Sequence, residues 1–573
     1  MHKSLFTAHG EALAGTPWTV YPRPQMRRDS YINLNGEWAF GTLPKGLDHI
    51  IRVPFCPESV LSGVNIHFPE GKGLNYRRYV TLPKDFCRGR LLLHIGAADQ
   101  WARVYINGIF MGNHQSVGSF TVDVTDRWRE GENEITIYCQ DDLKDKSYPY
   151  GKQTRNRGGM WYTPVSGIWQ TVWLESVPES YIEKLNIENR GNSVTISTVP
   201  PMDGTVTVKG LGEFPLKNGS VTITPDAPHW WSPEDPYLYD FTVETETDKV
   251  ESYFAIRSLE IRKIGAYPRR CLNGKPSFFH GLLDQGYWPD GIYTPAAPEC
   301  YAEDILAMKN LGFNTLRKHI KVEPEEFYYQ CDKLGMIVFQ DMVNNSDYGY
   351  LRDTVLPTVF LPYQKRSDKN LHRDQTHRQR FLETMKATVD QLKNHPSICY
   401  WTIFNEGWGQ FDADDVYEAF RNLDDTRFID TTSGWFRQKK SDVDSRHVYF
   451  RKVRLKGDGK KPLILSEFGG KTFKVEGHVF DPDKTYGYGT CKTREELNDA
   501  LVKLYLDEVL PCVKQGLCGA VYTQVSDVED EINGLVTYDR KWVKPEETRL
   551  VPVANALQAA ISEKEVANSA QIG

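Results

Sequence analysis

Short alternations of apolar and polar residues fill the first half of the chain. The runs "YINLNGEWAFGTL", "YRRYVTLP", "GRLLLHIG", "WARVYINGIFMG" and "NEITIYC" are rich in β-branched and aromatic residues and are broken by Gly, Asn, Pro and Asp. A period of two with frequent breaks predicts a jelly-roll sandwich over residues 1–177, closed by "SGIWQTVWLESV". A second strand-only stretch, 178–262, has the size and strand count of an immunoglobulin-like sandwich, with "PHWWSPEDPYLY" as a Pro- and Trp-rich connection inside it. After Lys263 the pattern changes. Apolar runs at 277–282, 313–318, 336–340, 397–404, 427–432, 446–450, 462–467 and 517–525 alternate with helical periodicity. Among the helices, "PEEFYYQCDKLG" has Pro324 at its start and Gly335 past its end. "TREELNDALVKLYLDEVL" opens on a Thr493-x-x-Glu496 capping box, and "RLVPVANALQAAI" closes the series. Eight strands with intervening helices predict a (β/α)8 TIM barrel over 263–573. The expected fold is multidomain, two all-β sandwiches followed by the barrel. The connections after the fifth and sixth strands are short and poorly helical, and 344–378 is a long insertion after the third.

Composition narrows the function classes. The chain has 573 residues, 14 Trp, 30 Tyr and 26 Phe, enough aromatic surface for sugar stacking as well as packing. A net charge of −7 argues against a nucleic-acid or anionic-membrane partner. No apolar run is long enough for a transmembrane helix. The start, "MHKSLFTAHGEALAGTPW", lacks a secretory apolar segment, so a cytoplasmic location is expected. Ten scattered cysteines without metal-like spacing fit reduced, mostly buried thiols. There is no HExxH, no phosphate-binding loop and no GxSxG elbow. The Gly/Lys stretch "LKGDGKKP" and the basic clusters "PQMRRDS" and "HRDQTHRQR" read as surface.

Two buried runs end on a carboxylate. In "HPSICYWTIFNEGWGQF" Glu406 stands at the tip of the fourth barrel strand, and in "KPLILSEFGGKTF" Glu467 stands at the tip of the seventh. Active sites of such barrels form at the C-terminal strand ends, and strands four and seven face each other across the mouth. A lone Glu after a strand is ordinarily a turn residue or a helix cap; two on facing strands are an arrangement that glycoside hydrolysis needs. Trp401 and Trp408, beside Glu406, are expected to shield it, which favours the protonated form that an acid requires.

These motifs resemble family 2 of the glycoside hydrolases, the group of β-galactosidases, β-glucuronidases and β-mannosidases. "NHPSICYWTIFNEGW" and "LILSEFGG" resemble its acid/base and nucleophile segments. "NLNGEWAF", "YINGIFMG" and "SGIWQTVWLE" resemble its jelly roll, "FAIRSLEI" the end of its immunoglobulin-like domain, and "LNGKPSFFHG", "LGFNTLRKHI" and "YDRK" its barrel. The resemblance implies that Glu406 is the general acid/base and Glu467 the nucleophile of a retaining reaction without an organic cofactor. It also implies that Asn405 hydrogen-bonds the sugar 2-hydroxyl, Tyr449 orients the nucleophile and Arg317 holds its carboxylate. His447 shares Tyr449's strand face. Asp284 is a candidate for a sugar hydroxyl, and Trp435 and Tyr522 for aromatic platforms.

The departures bear on specificity. Where large β-galactosidases carry magnesium ligands this chain has "DMVNNSDYG", so no metal is expected to be required. The Asn-x-Lys of β-glucuronidases is not evident, and Tyr522 stands where a tryptophan is usual. Asp527, Glu529, Asp530 and Glu531 would repel a glucuronate if they lined the pocket, but most are expected in a solvated loop. The expectation is an exo-acting β-glycosidase on a small oligosaccharide or glycoside. β-Galactoside ranks first on its frequency in the family, then β-glucuronide, β-mannoside and α-L-arabinopyranoside. A carbohydrate-binding protein without hydrolysis has no reason to keep both glutamates. An amide or ester hydrolase would want a nucleophile triad or a metal set. Sugar identity is expected to lie in the loops 284–298, 344–378, 468–490 and 526–534. A homo-oligomer whose second chain completes the pocket is left open.

Overall fold

The computed structural model describes residues 5–360 and 364–569. Residues 1–4 of the N-terminal segment and 361–363 of the insertion lie outside them. The first sandwich packs a six-stranded antiparallel sheet, Gly46–Val53, Gly36–Thr42, Gly73–Thr81, Glu132–Gln140, Trp101–Ile106 and Ile109–Gln115 in spatial order, on a four-stranded one. Alternate residues such as Trp38, Phe40, Tyr76, Leu93, Ile137 and Leu174 fill the space between them. The second sandwich, of three and four strands, has its own core around Ile196, Val206, Phe241 and Phe254. "PQMRRDS" is not all surface: Arg28 is buried, paired with Asp248 at 2.6 Å and with Glu175 at 3.4 Å where the β-regions meet.

Eight parallel strands follow: Phe279–Asp284, Thr315–Lys318, Ile337–Asp341, Ile398–Asn405, Phe428–Ser433, Asp444–Val448, Leu463–Phe468 and Leu517–Tyr522. They are buried almost end to end, as strands covered on both faces must be. The first pairs with the second and with the eighth, and the ladder runs five-four-three-two-one-eight-seven-six. The fifth and sixth strands meet through side chains, Ser433 Oγ lying 3.3 Å from Ser445 Oγ and 3.0 Å from His447 Nε2. Among the described residues no helix follows either of these two strands, as their short connections predict.

The helix ends obey their local chemistry. Gly335 closes Glu325–Leu334 in a left-handed conformation (φ 73°), and Thr493 Oγ1 accepts from Glu496 N at 3.1 Å at the start of Arg494–Lys503. The barrel floor is plugged by the hairpin Leu259–Ile264 and Tyr267–Leu272. Its Arg270 lies fully buried over the rings of Phe279, Phe339, Tyr400 and Phe428, 4.0–5.8 Å from their centres. Nine of the ten cysteines are buried free thiols; Cys87 is exposed. Among the described residues no helix is long and apolar enough to cross a membrane.

Candidate active site

The turn after the fourth strand is built around glycines. Glu406 itself has φ 53°, a left-handed value rare for a residue with a side chain, and Gly407 and Gly409 follow at 76° and 69°. A Cβ on Gly407 would lie 2.1 Å from the Phe436 ring, and one on Gly409 would lie 2.9 Å from Asn345 O. Glu406 N donates to Ser433 O at 2.9 Å, tying the turn to the fifth strand. Backbone strain of this kind persists where the surroundings over-determine it, and here it aims one carboxylate into the mouth.

Glu467 leaves the seventh strand opposite. Its Oε1 accepts from Arg317 Nη1 at 3.0 Å and its Oε2 from Tyr449 OH at 2.8 Å. His447 Nδ1 stands between the glutamates, 2.7 Å from Glu406 Oε1 and 3.5 Å from Glu467 Oε2. One oxygen from each carboxylate and this nitrogen all lie within 4.8 Å of one another. Burial pushes the Glu467 carboxyl up, but the charges of His447 and Arg317 outweigh it and hold the group down at about 2.

Arg317 is itself held in place. Its Nε donates to both oxygens of Asp341 (2.9 and 3.1 Å), Nη1 also reaches Ser466 O, and Nη2 donates to Asn405 Oδ1 at 2.8 Å. Asn405, its acceptor oxygen so engaged, keeps its N–H donors for another partner. Glu406, His447 and Glu467 could also hold a cation by geometry. With a guanidinium already 3.0 Å from Glu467, a divalent ion there would meet a fixed positive charge, so the donor set suits proton and carboxylate chemistry better.

The cleft over the glutamates encloses about 90 Å³. Gln285, Tyr350, Tyr488 and Glu531 line it, so each of the four loops expected to carry specificity supplies a wall residue. Trp435, Tyr449 and Thr523 also line it, whereas Asn405 and His447 stand just behind the wall. A larger hollow of about 1130 Å³, lined by Tyr21, Asp240 and Tyr329 among others, shares no residue with this cleft.

Three sequence expectations fail here for one reason, the alternation of side chains along a strand. Asp284 does not reach the cleft: Leu283 and Gln285 do, and Asp284 pairs with Lys318 Nζ at 2.7 Å on the outer face. Tyr522 is no platform, since it packs edge-on to Phe468 and receives Lys471 N on its hydroxyl, while Thr523 faces the mouth. Trp401 does not shield Glu406; its indole N–H donates outward to Asp424 at 2.8 Å.

The acidic stretch 527–531 is not a solvated loop either. All four carboxylates are buried because each has a matched donor. Lys544 meets Asp527 at 2.6 Å, Thr163 N meets Glu529 at 2.9 Å, Arg157 meets Asp530 at 3.1 Å, and the Tyr162 hydroxyl donates to Glu531. Three of these donors come from the first sandwich. Its 148–166 segment reaches over the barrel mouth, with Tyr150 OH on Ser346 O (2.8 Å) and Trp161 edge-on to Trp408 (5.3 Å). It also places Lys152 in the cleft wall, where its charge helps to hold Glu467 ionised.

Lys152, Tyr162, Tyr488 and Thr523 gave no local signal in the sequence. Asp341 did: it ends the buried run "IVFQD" in the manner of Glu406 and Glu467.

Residues 271–549 match the family described as "Glycosyl hydrolases family 2, TIM barrel domain", and 180–257 match "Glycosyl hydrolases family 2". A β-glucuronidase from Bacteroides fragilis is 23% identical over 412 residues, covering 66% of this chain and 56% of that protein. A β-galactosidase from Thermoanaerobacter pseudethanolicus is 23% identical over 525 residues, covering 81% and 65%. The chain thus spans less than two thirds of either relative's length. A solved β-D-glucuronidase from Dictyoglomus thermophilum superposes with a TM-score of 0.70 at 19% identity, over 95% of this chain and 98% of that one. A β-galacturonidase from Eisenbergiella tayi, bound to galacturonate, gives 0.67 at 19%, over 94% and 99%. At that identity the likeness is one of fold.

Proposed function

The chain belongs to glycoside hydrolase family 2, and we propose that it is a retaining, exo-acting β-glycosidase in which Glu467 is the nucleophile and Glu406 the acid/base. The observation that carries the reading is the closeness of the carboxylates, one oxygen of each lying within 4.8 Å of one of the other. Double displacement uses carboxyl groups about 5–5.5 Å apart, whereas an inverting pair needs roughly 6.5–9.5 Å to admit a water. Arg317 and Tyr449 both face Glu467 and neither donates to Glu406, so the electrostatics give the ionised, attacking role to Glu467.

In the first step Glu406 protonates the glycosidic oxygen while Glu467 attacks the anomeric carbon. In the second, Glu406 takes a proton from water as that water displaces Glu467. His447, in contact with Glu406 and near Glu467, orients the pair through both steps. Asn405 offers its amide N–H groups to the sugar 2-hydroxyl. The small cleft, walled by four barrel loops and the 148–166 segment, suits one terminal sugar and favours exo action.

A neutral, β-galactoside-like hexose is the first substrate class, because Glu406, Glu467 and Glu531 face a single ammonium in the cleft wall and a uronate would add a fourth acid. A β-uronide is the second reading. Its support is that ammonium: Lys152 lines the cleft and, among the described residues, has no carboxylate within ion-pair distance.

The test is a panel of nitrophenyl β-galactoside, β-glucuronide, β-glucoside, β-mannoside and α-L-arabinopyranoside, run with wild type and Glu467→Gln. One or two glycosides should turn over, and the variant should lose at least roughly a thousandfold, as for a group acting in the transition state. Undiminished activity in Glu467→Gln would remove the two-carboxylate assignment. Cleavage of a polysaccharide at a rate indifferent to capping its ends would remove exo action.

A further inference from the structure

We propose that the barrel carries a second binding site, for sulfate, phosphate or carboxylate groups borne on the leaving-group side of the substrate, on its outer wall beside the sixth strand. The inference rests on the glycosidase reading above for the words "leaving-group side"; the anion site itself does not.

Among the described residues two crossover helices of the barrel are missing, and the site lies where they would pack. With no helix after the fifth or sixth strand, the outer face of Asp444–Val448 is left open, and a cavity of about 540 Å³ occupies the place. Six cations line it: Lys365, Arg437, Arg446, Arg451, Lys452 and Arg454. Among the described residues only Asp444 answers them. It forms a two-pronged pair with Arg446 (2.8 and 2.6 Å) and lies 3.9 Å from Arg437. Among the described residues, Lys365, Arg451, Lys452 and Arg454 have no carboxylate within ion-pair distance. In a chain whose net charge is −7, such local excess is a positive field focused in one concavity.

Arg437 points to a ligand independently. Its Nη1 is buried and meets no hydrogen-bond acceptor. Burial and the neighbouring Arg446 lower its pKa to about 10 against the opposing pull of Asp444, which at 3.9 Å is too distant to hydrogen-bond it. A tetrahedral or planar oxyanion would supply acceptors to the guanidinium fork that surface water supplies poorly.

Two loops join this cavity to the active-site cleft. Trp435 lines the cleft, and Arg437, two residues on, lines the basic cavity. Tyr449 and Phe450 line the cleft, and Arg451, the next residue, lines the cavity. Phe450 stands at the lip, 74% exposed and edge-on to Tyr488 at 5.1 Å. Along the chain Phe450 thus stands between the cleft and the arginine-lined cavity.

The experiment compares two glycosides of whichever sugar the panel identifies, one with a nitrophenyl aglycone and one with a pyrene trisulfonate aglycone. Wild type is run beside Arg451→Gln/Arg454→Gln, whose side chains are exposed and outside the catalytic machinery. At low ionic strength wild type should favour the sulfonated glycoside in kcat/KM by roughly tenfold. The preference should vanish in high salt and in the variant, with the nitrophenyl rate unchanged. Equal rates for both glycosides in wild type would overturn the proposal. Fluorescence titration with the free hydroxypyrene trisulfonate needs no turnover. Binding weakened in the variant supports the site even if neither glycoside is hydrolysed, in which case the glycosidase reading fails alone. Normal hydrolysis without such binding overturns the site alone. If inorganic sulfate binds and shifts the nitrophenyl rate while the tethered sulfonates bring no advantage, the leaving-group assignment is overturned.

Discussion

Arg317 touches Asp341, Asn405 and Glu467 with three nitrogens, so one guanidinium fixes the positions of three groups from three strands. It is fully buried, where an unpaired charge is costly. Arg317→Gln would leave Asp341 and Glu467 buried without it, and a destabilisation of about 3–5 kcal/mol is the scale expected. The pH dependence has a definite sign. Glu467 titrates near 2 in the folded chain against an ordinary 4.5, so its pairing stabilises the fold above about 4.5 and that contribution is lost as pH falls toward 2. The melting-temperature gap between wild type and Arg317→Gln should therefore be widest near neutrality and shrink across that acid window. The acid limb of kcat/KM should move upward in the variant. A gap that is constant with pH, with an unmoved acid limb, would show that Arg317 does not set the ionisation of Glu467.

Within single elements, the sequence was legible as far as period and strand ends go. Buried apolar runs marked all eight barrel strands, and a carboxylate at the end of such a run marked Glu406 and Glu467. What a linear pattern leaves open is which face a terminal residue takes. Asp284 and Tyr522 each stand one residue from a position that faces the mouth, Gln285 and Thr523, and a shift of one residue inverts the side-chain direction. Glycines decide how the ends pack. Gly434 has φ +85°, and a Cβ there would lie 2.7 Å from the His447 ring. Gly434→Ala should push the imidazole off Glu406 and lower kcat by roughly ten- to a hundredfold, the cost of a misplaced group. Gly191→Ala is the control. It has φ +60° but open space around it, and should show backbone strain of about 1 kcal/mol without loss of activity. Equal activity in the two variants would remove His447 from the positioning of Glu406.

At the scale of the whole molecule, the cleft is not a property of the barrel alone. The barrel brings the glutamates together, but the first sandwich supplies Lys152 and covers the acidic stretch with Arg157, Tyr162 and Thr163. Those pairings span more than 360 residues, which is why Glu529, Asp530 and Glu531 read as solvent-facing from their own neighbours. The order of the three β and α/β units was legible because each keeps its own hydrophobic period; the contacts between them leave no periodic trace. The central claim is that this assembled cleft performs a double displacement through Glu467. It is tested most directly by intact-mass measurement after incubation with the 2-deoxy-2-fluoro glycoside of the sugar that the panel identifies. One fluorosugar should add per chain and map by peptide digestion to Glu467. An adduct on Glu406, or continued turnover with an inverted product and no adduct, would contradict it.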